Sequence, residues 1–206
     1  MDGESRSARK RREIMEAATQ VFLTKGYLGT SMDEVAALAK VSKQTVYKHF
    51  ADKENLYTQI VLATTDKVEA LFTVVTKSLA DSDDLEGDLR AMARQFIAFL
   101  VQPDRLRLRR LVIAEADRFP ELSRTYFERG PDRVHGLLAD SLTTLHERGR
   151  LRAADPRLAA EQLTWLIISI PLNKVMLCGS QETFTEDQLH HYADEGVRVF
   201  LAAYGT

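Results

Sequence analysis

Apolar residues recur along this chain at three- and four-residue intervals, which places them on one face of a helix, and alternating strand-like runs are scarce. Ile14, Ala17, Ala18, Val21 and Phe22 predict a first helix over 8–25, stopped by Gly26. Val35, Leu38 and Ala39 mark a short second helix, and Val46 and Phe50 form the buried side of a third over 43–49. Leu56, Ile60, Val68, Val75 and Leu79 keep helical register to about Ser78, which predicts a fourth helix roughly 35 Å long at about 1.5 Å per residue. A helix of that length is expected to leave a small N-terminal module, enter a second one and act as the lever between them. The polar break Asp81–Asp84 precedes a fifth helix over 85–101, and Pro103-Asp104 opens a sixth that runs to Arg118. Pro120 opens a seventh, reaching Arg148 with a bend at Gly130-Pro131. Asp155-Pro156 starts an eighth, with proline at the first helical position, and Pro171 is expected to kink or end it. Thr185 with Gln188 caps a ninth that ends near Ala203. The expectation is an all-α chain of about nine helices with short connections and no internal repeat.

The stretch Thr30 to Lys53, TSMDEVAALAKVSKQTVYKHFADK, carries the densest signals. Ser31 with Glu34 three residues later reads as a capping box. Lys40 and Val41 make a turn, Val41 plugs the space between two helices, and Ser42 caps the next one. That helix has an apolar back and a front of Lys43, Gln44, Thr45, Tyr47, Lys48 and His49, nearly all hydrogen-bond donors. A short helix of this kind suits a major groove. Lysine donates to guanine O6/N7 and glutamine pairs with adenine, so Lys43, Gln44 and Lys48 are candidates for base edges. Thr45, Tyr47 and His49 are candidates for phosphates, as are Thr30, Ser31 and Ser42 through their hydroxyls.

Charge sharpens the picture. Residues 5 to 50 hold nine Lys/Arg and four Asp/Glu, a surplus of five positive charges in a chain whose net charge is −2. The remainder is therefore at −7, and the basic end is where a polyanion would be met. Arg9, Lys10 and Arg12 add a looser electrostatic or minor-groove contact, or else form a solubilising charge run. At 206 residues the chain is long enough for one domain or two small ones. No apolar run approaches the ~20 residues of a membrane span, the N-terminus is charged, and a single cysteine, Cys178, suits a reducing cytoplasm.

The segments IMEAATQVFLTKGY, TSMDEVAALAKVS and TVYKHFADKENLY resemble the DNA-binding domain of the tetracycline-repressor (TetR) family of bacterial transcription regulators, with Thr45, Tyr47, Phe50 and Lys53 at the family's spacing. Lys40 departs from it, standing where the family usually has glycine, and this asks a lysine to take a tight-turn conformation with positive φ. More loosely, LRRLVIAEADRFPELSRTYFERGPDRV and DPRLAAEQL resemble the C-terminal domain of the AefR-like branch. The resemblance implies phosphate anchors at Tyr47 and Lys53. It implies a homodimer paired through the eighth and ninth helices, bound to a near-palindromic double-stranded DNA operator. It also implies a small-molecule effector held between the fourth and eighth helices, whose binding would swing the fourth. The expected division is a tail over 1–8, a helix-turn-helix domain over 9–57, and a ligand-binding and dimerisation domain over 58–206.

Candidates for lining an effector pocket are Phe96, Phe99, Phe119, Tyr126, Phe127, Trp165 and Met176, with Glu115 in an otherwise apolar helix; plain core is the commoner role for each. Glu115 has an alternative task as the ion-pair partner of one of the arginines between 105 and 118. No cofactor, metal or catalytic signature is expected. His190 and His191 point some 100° apart on a helix, and no phosphate-binding glycine loop occurs. Three other readings stay open: a regulator without an effector, controlled by abundance or by a protein partner; an all-α enzyme, which would need two titratable groups converging on a cavity; and a purely structural dimerisation module.

Overall fold

The computed structural model describes residues 5–179 and 183–206, and every element among them is helical apart from one isolated bridge between Leu151 and Gly205. The helices are α1 (Arg6–Gly29), α2 (Met32–Leu38), α3 (Lys43–His49), α4 (Lys53–Ala80), α5 (Leu85–Leu100), α6 (Pro103–Ala114), α7 (Pro120–Phe127), α8 (Arg133–Glu147), α9 (Pro156–Cys178) and α10 (Glu186–Tyr204), with a π-turn over Glu128–Asp132. That π-turn joins α7 to α8 without a break in helical backbone, so the bent seventh helix expected from the sequence is α7, the turn and α8 together. Pro131 lacks the N–H for a regular turn and its ring crowds the preceding one; the wider π winding accommodates both.

Proline has a milder effect in α9, which runs past Pro171 to Cys178. Loss of one backbone bond is offset by burial of Leu172 and Val175 beyond it, and the Asn173 side-chain amide donates to the Ser169 carbonyl at 2.7 Å. At the N-terminal end, the Ser5 hydroxyl accepts from Ala8 N–H and α1 starts at Arg6. Part of the expected tail is therefore helical, and its first four residues lie outside the described ones. The sixth helix stops at Ala114, four residues short of Arg118, where the chain enters a turn closed by Arg118 and Phe119 N–H on the Glu115 carbonyl.

The chain divides into two compact units, one holding residues up to Thr65 with Arg107–Tyr126, the other Asp66–Leu106 with Phe127–Thr206. The first thus takes in a segment far beyond the helix-turn-helix. Its core combines Ile14, Val21, Phe22, Val35, Val46, Phe50, Leu56 and Tyr57 with Leu108, Leu111 and Val112. A three-helix module of this size buries little apolar surface by itself, and the later segment enlarges its core.

In the second unit α9 packs against α8 and α10, and α5 against α10, around Leu89, Ile97, Leu138, Leu142, Leu163, Ile167, Val197 and Phe200. Arg94 of α5 grips Asp194 of α10 through two bonds of 2.8 and 2.6 Å, which holds the Asp194 carboxyl below its ordinary range. Arg157 binds both Asp132 of the π-turn and Glu161 one turn on. Arg148 and Arg150 donate to the carbonyls of Ala80 and Ser82, closing the end of α4. His135 bonds Thr164 at 3.0 Å, and burial lowers its pKa.

Gly196 of α10 lies close against the backbone of α9. A Cβ there would stand 3.1 Å from the backbone N of Ile167 on α9. Because the neighbour is helix backbone, it cannot swing aside. Gly196→Val should force α9 and α10 apart and lower stability by about 1–3 kcal/mol, measured by urea unfolding.

Candidate nucleic-acid interface

The geometry of the helix-turn-helix begins at Gly26, whose φ of 72° and ψ of 177° break α1 before a last helical turn. Tyr27 then turns inward, and Thr30 N–H bonds back to the Tyr27 carbonyl at 3.3 Å. The ammonium of Lys53, the first residue of α4, reaches into this connection. It donates to the carbonyls of Tyr27 at 2.9 Å and Thr30 at 3.0 Å and stands 4.5 Å over the Tyr27 ring. Arg118 lies over the same ring at 5.7 Å, and Phe119 meets it edge-on at 4.8 Å. Burial raises the pKa of Tyr27, and that of its neighbour Tyr57 much further. Two of the three Lys53 protons are engaged internally, so a single one is left for a phosphate.

Thr30 departs from expectation. It is 3% exposed and its hydroxyl donates to the Gly26 carbonyl at 2.8 Å. The hydroxyl expected at a phosphate closes the loop instead. Ser31 caps α2 by accepting from Glu34 N–H at 3.2 Å. The Glu34 carboxylate does not complete a capping box; it turns to Lys25 of α1 at 2.6 Å, a stronger partner than a neutral N–H. Met32, Val35 and Ala36 form the buried side of α2, whereas Leu38 is exposed.

Lys40 holds the turn with φ of 54°, the positive value expected from the missing glycine. Val41 then packs partly into the core. The Ser42 hydroxyl accepts from Thr45 N–H at 3.1 Å and bonds the Thr45 hydroxyl at 2.8 Å. One proton of that hydroxyl pair stays free for a phosphate. Within α3, Val46 is fully buried with Phe50 behind it, which turns Lys43, Gln44, Tyr47 and Lys48 outward. Tyr47 is 44% exposed and so belongs to the surface rather than to the module core. Thr45 and His49 lie at its margins, half-buried.

The cations here do not all stand free. Lys43 meets Asp33 of α2 at 2.8 Å, and that carboxylate raises its pKa. Lys10 pairs with Glu13 at 2.7 Å, Arg9 reaches the same carboxylate at 3.6 Å, and Arg12 lies 3.7 Å from Glu16. Arg11 bonds Gln59 at 3.0 Å and lies 5.2 Å over the Phe50 ring. Sequence reasoning counted Asp33 as an acid and missed its partner; the signal lay in an acid in the first turn of α2 and a lysine in the first turn of α3.

The candidate pocket residues are divided between the two units. Glu115, Phe119 and Tyr126 belong to the first unit, where Glu115 lies 3.6 Å from Arg118, as its alternative task required. Phe96 is core of the second unit, edge-on to Phe72 at 4.8 Å, and Met176 packs against the same core. Phe99 is covered by the Arg105 guanidinium at 3.2 Å from its centroid. Phe127 and Trp165 are surface residues, 56% and 48% exposed. Trp165 belongs to a stripe along α9 with Leu158, Leu166, Ile170 and Leu177, all exposed. These residues recur at helical spacing on the face opposite the buried one. Among the described residues no helix is long and apolar enough to cross a membrane.

Comparison with known proteins places both halves. Residues 14–60 match the family model of the bacterial regulatory proteins of the tetR family, and residues 87–206 that of the AefR-like transcriptional repressor C-terminal domain. A crystal structure of a TetR-family transcriptional regulator from Mesorhizobium loti is 45% identical over 98% of this chain and 100% of that one, with a TM-score of 0.92. The flavonoid-responsive regulator FrrA is 29% identical over 96% of this chain and 97% of its own, with a TM-score of 0.70. The transcriptional activator FasR of Mycolicibacterium smegmatis is 34% identical over 91 residues, which are 44% of this chain and 40% of that protein. The match thus spans less than half of that curated relative.

The Lys53 brace yields a stability prediction. Lys53→Met keeps the length of the side chain and removes both carbonyl contacts, so unfolding free energy should fall by about 1.5–3 kcal/mol in chemical denaturation.

Proposed function

The chain belongs to the TetR family of transcriptional regulators, and on that premise we propose that it is a repressor which binds a near-palindromic DNA operator as a homodimer and leaves it when a small molecule binds. Residues 9–57 act as the DNA-binding domain in this reading, and 58–206 carry dimerisation and the effector. The observation that carries it is α3, whose apolar back is buried at Val46 while Lys43, Gln44, Tyr47 and Lys48 face outward together. Gln44 and Lys48 then read base edges with Lys43. Tyr47, His49, Ser31, the Ser42–Thr45 hydroxyl pair and the remaining Lys53 proton hold phosphates and set register.

The exposed stripe of α9 supports the dimer. Leu158, Trp165, Leu166 and Ile170 stand 40–59% exposed, and Val199 on α10 adds to them. Apolar side chains exposed in a row along one helix face are rarely left to water, and a second copy would cover them in a self-complementary contact. Trp165 belongs to that face in this reading and not to an effector pocket. Repression rests on the AefR-like repressor match over the C-terminal 120 residues. Response to a small molecule rests on likeness to FrrA, a flavonoid-responsive regulator. Such a regulator works beside the chromosome, in the cytoplasm.

Selection from a random duplex pool at near-physiological salt should enrich an inverted repeat, and failure to enrich any sequence would sink the reading. Affinity for the enriched duplex should fall steeply with salt, with a log–log slope of about −0.9 per phosphate neutralised. Tyr47→Ala should weaken all duplexes alike, whereas Gln44→Ala should cost about 1–3 kcal/mol at one base position and relax preference there. Release of the enriched duplex by a panel of flavonoids is the first effector assay. For the dimer, Ile170→Glu should convert a two-chain species into a monomer in sedimentation; an unchanged mass would place the interface elsewhere.

A further inference from the structure

We infer that Asp33 of α2 is a specificity-determining residue that positions the Lys43 ammonium to read guanine. The inference deepens the proposed function and rests on its reading of Lys43 as a base-edge contact.

Lys43 opens α3, where the free N–H groups of the first turn disfavour a cation, so its own helix terminus does not hold the ammonium. A four-carbon stem released at a DNA surface has many rotamers. Phosphate oxygens are its most abundant acceptors, and a phosphate contact carries no sequence information. Asp33 narrows that freedom. Its Oδ1 lies 2.8 Å from Lys43 Nζ, across the turn between α2 and α3.

Asp33 is itself well placed for the task. It lies in the first turn of α2, where an acid is favoured, and the adjacent Glu34 is tied to Lys25 of α1 at 2.6 Å. Both partners remain open to solvent, with side chains 59% exposed for Lys43 and 65% for Asp33. An ion pair so exposed contributes little to folding, and its consequence is placement. The ammonium has three donors; Asp33 takes one and leaves two, the number that guanine O6 and N7 accept. The carboxylate also repels phosphate, which disfavours the backbone contacts that an unrestrained lysine would make. Selectivity arises from both effects.

The test measures binding of the intact chain and three variants (Asp33→Asn, Lys43→Ala and the double variant) to the duplex enriched from the random pool and to a shuffled duplex of equal composition. Asp33→Asn should lower the affinity ratio between the two duplexes by about tenfold, within the range for loss of one bidentate base contact, chiefly by raising affinity for the shuffled one. Lys43→Ala should lower the ratio comparably, and Asp33→Asn should then change it no further. A uniform rise in affinity for both duplexes would mean that Asp33 contributes only its charge, and would overturn the inference. An effect of Asp33→Asn that persists in full without Lys43 would overturn it too. If the unaltered chain binds both duplexes equally, the proposed function falls and this inference with it. If the unaltered chain discriminates and Asp33→Asn leaves the ratio intact, the inference alone falls.

Discussion

The helix that presents this protein's donor-rich face has only seven residues, Lys43–His49, too few to be stable alone in water. Its existence and direction depend on seating Val46 and Phe50, both essentially removed from solvent, in the core of the first unit. Whatever lies opposite those two must face outward, which is why Lys43, Gln44, Tyr47 and Lys48 share one surface. The same dependence runs backward along the chain. Phe50 shares its core with Ile14, Phe22, Val35 and Tyr57, and the connection feeding α2 is held by the Lys53 ammonium on two carbonyls. A positive φ at Lys40 supplies the sharp turn between the two short helices, at a conformational cost that a glycine would not incur.

Charge in the first unit is arranged by pairing as much as by sign. The surplus of basic residues is real, yet Lys10, Lys25 and Lys43 each stand within 2.8 Å of a carboxylate. Such pairs are weak in water, so they add little to folding and act by fixing where each ammonium waits. In the second unit, arginine serves folding. Arg94 clamps α5 to α10, Arg157 joins α9 to the π-turn, and Arg148 and Arg150 close the end of α4. The planar fork of arginine suits bidentate clamps, and the compact lysine ammonium suits point contacts.

Much of this was legible in the sequence because it is local. Helix positions followed from three- and four-residue spacing. The caps at Ser31, Ser42, Asp84, Asp155 and Thr185 followed from one side chain reaching a backbone group three residues on. The positive φ of Lys40 followed from its standing where the resembled family has glycine, and the outward face of α3 from two apolar residues four apart. Where expectation failed locally, the side chain took a different partner. Glu34 left its capping box for Lys25, and Thr30 closed onto Gly26 instead of facing a phosphate.

Tertiary structure alone decided the rest. Periodicity marks the apolar face of a helix but does not name the neighbour, so Phe119 and Tyr126 joined the first unit's core while Phe96 joined the second's. It does not separate a buried face from an apolar one left open, so Trp165, a candidate for pocket lining or plain core, stands exposed on the surface of α9. Pro171 left α9 continuous because core packing beyond it outweighed the lost hydrogen bond, and Pro131 was absorbed by a π-turn. The residues themselves determined an all-helical chain with a capped helix-turn-helix and a donor-rich third helix, since those features depend on interactions within a few positions. Which side chains meet across the fold, Lys43 with Asp33 above all, was decided only in three dimensions, where contacts do not follow sequence separation.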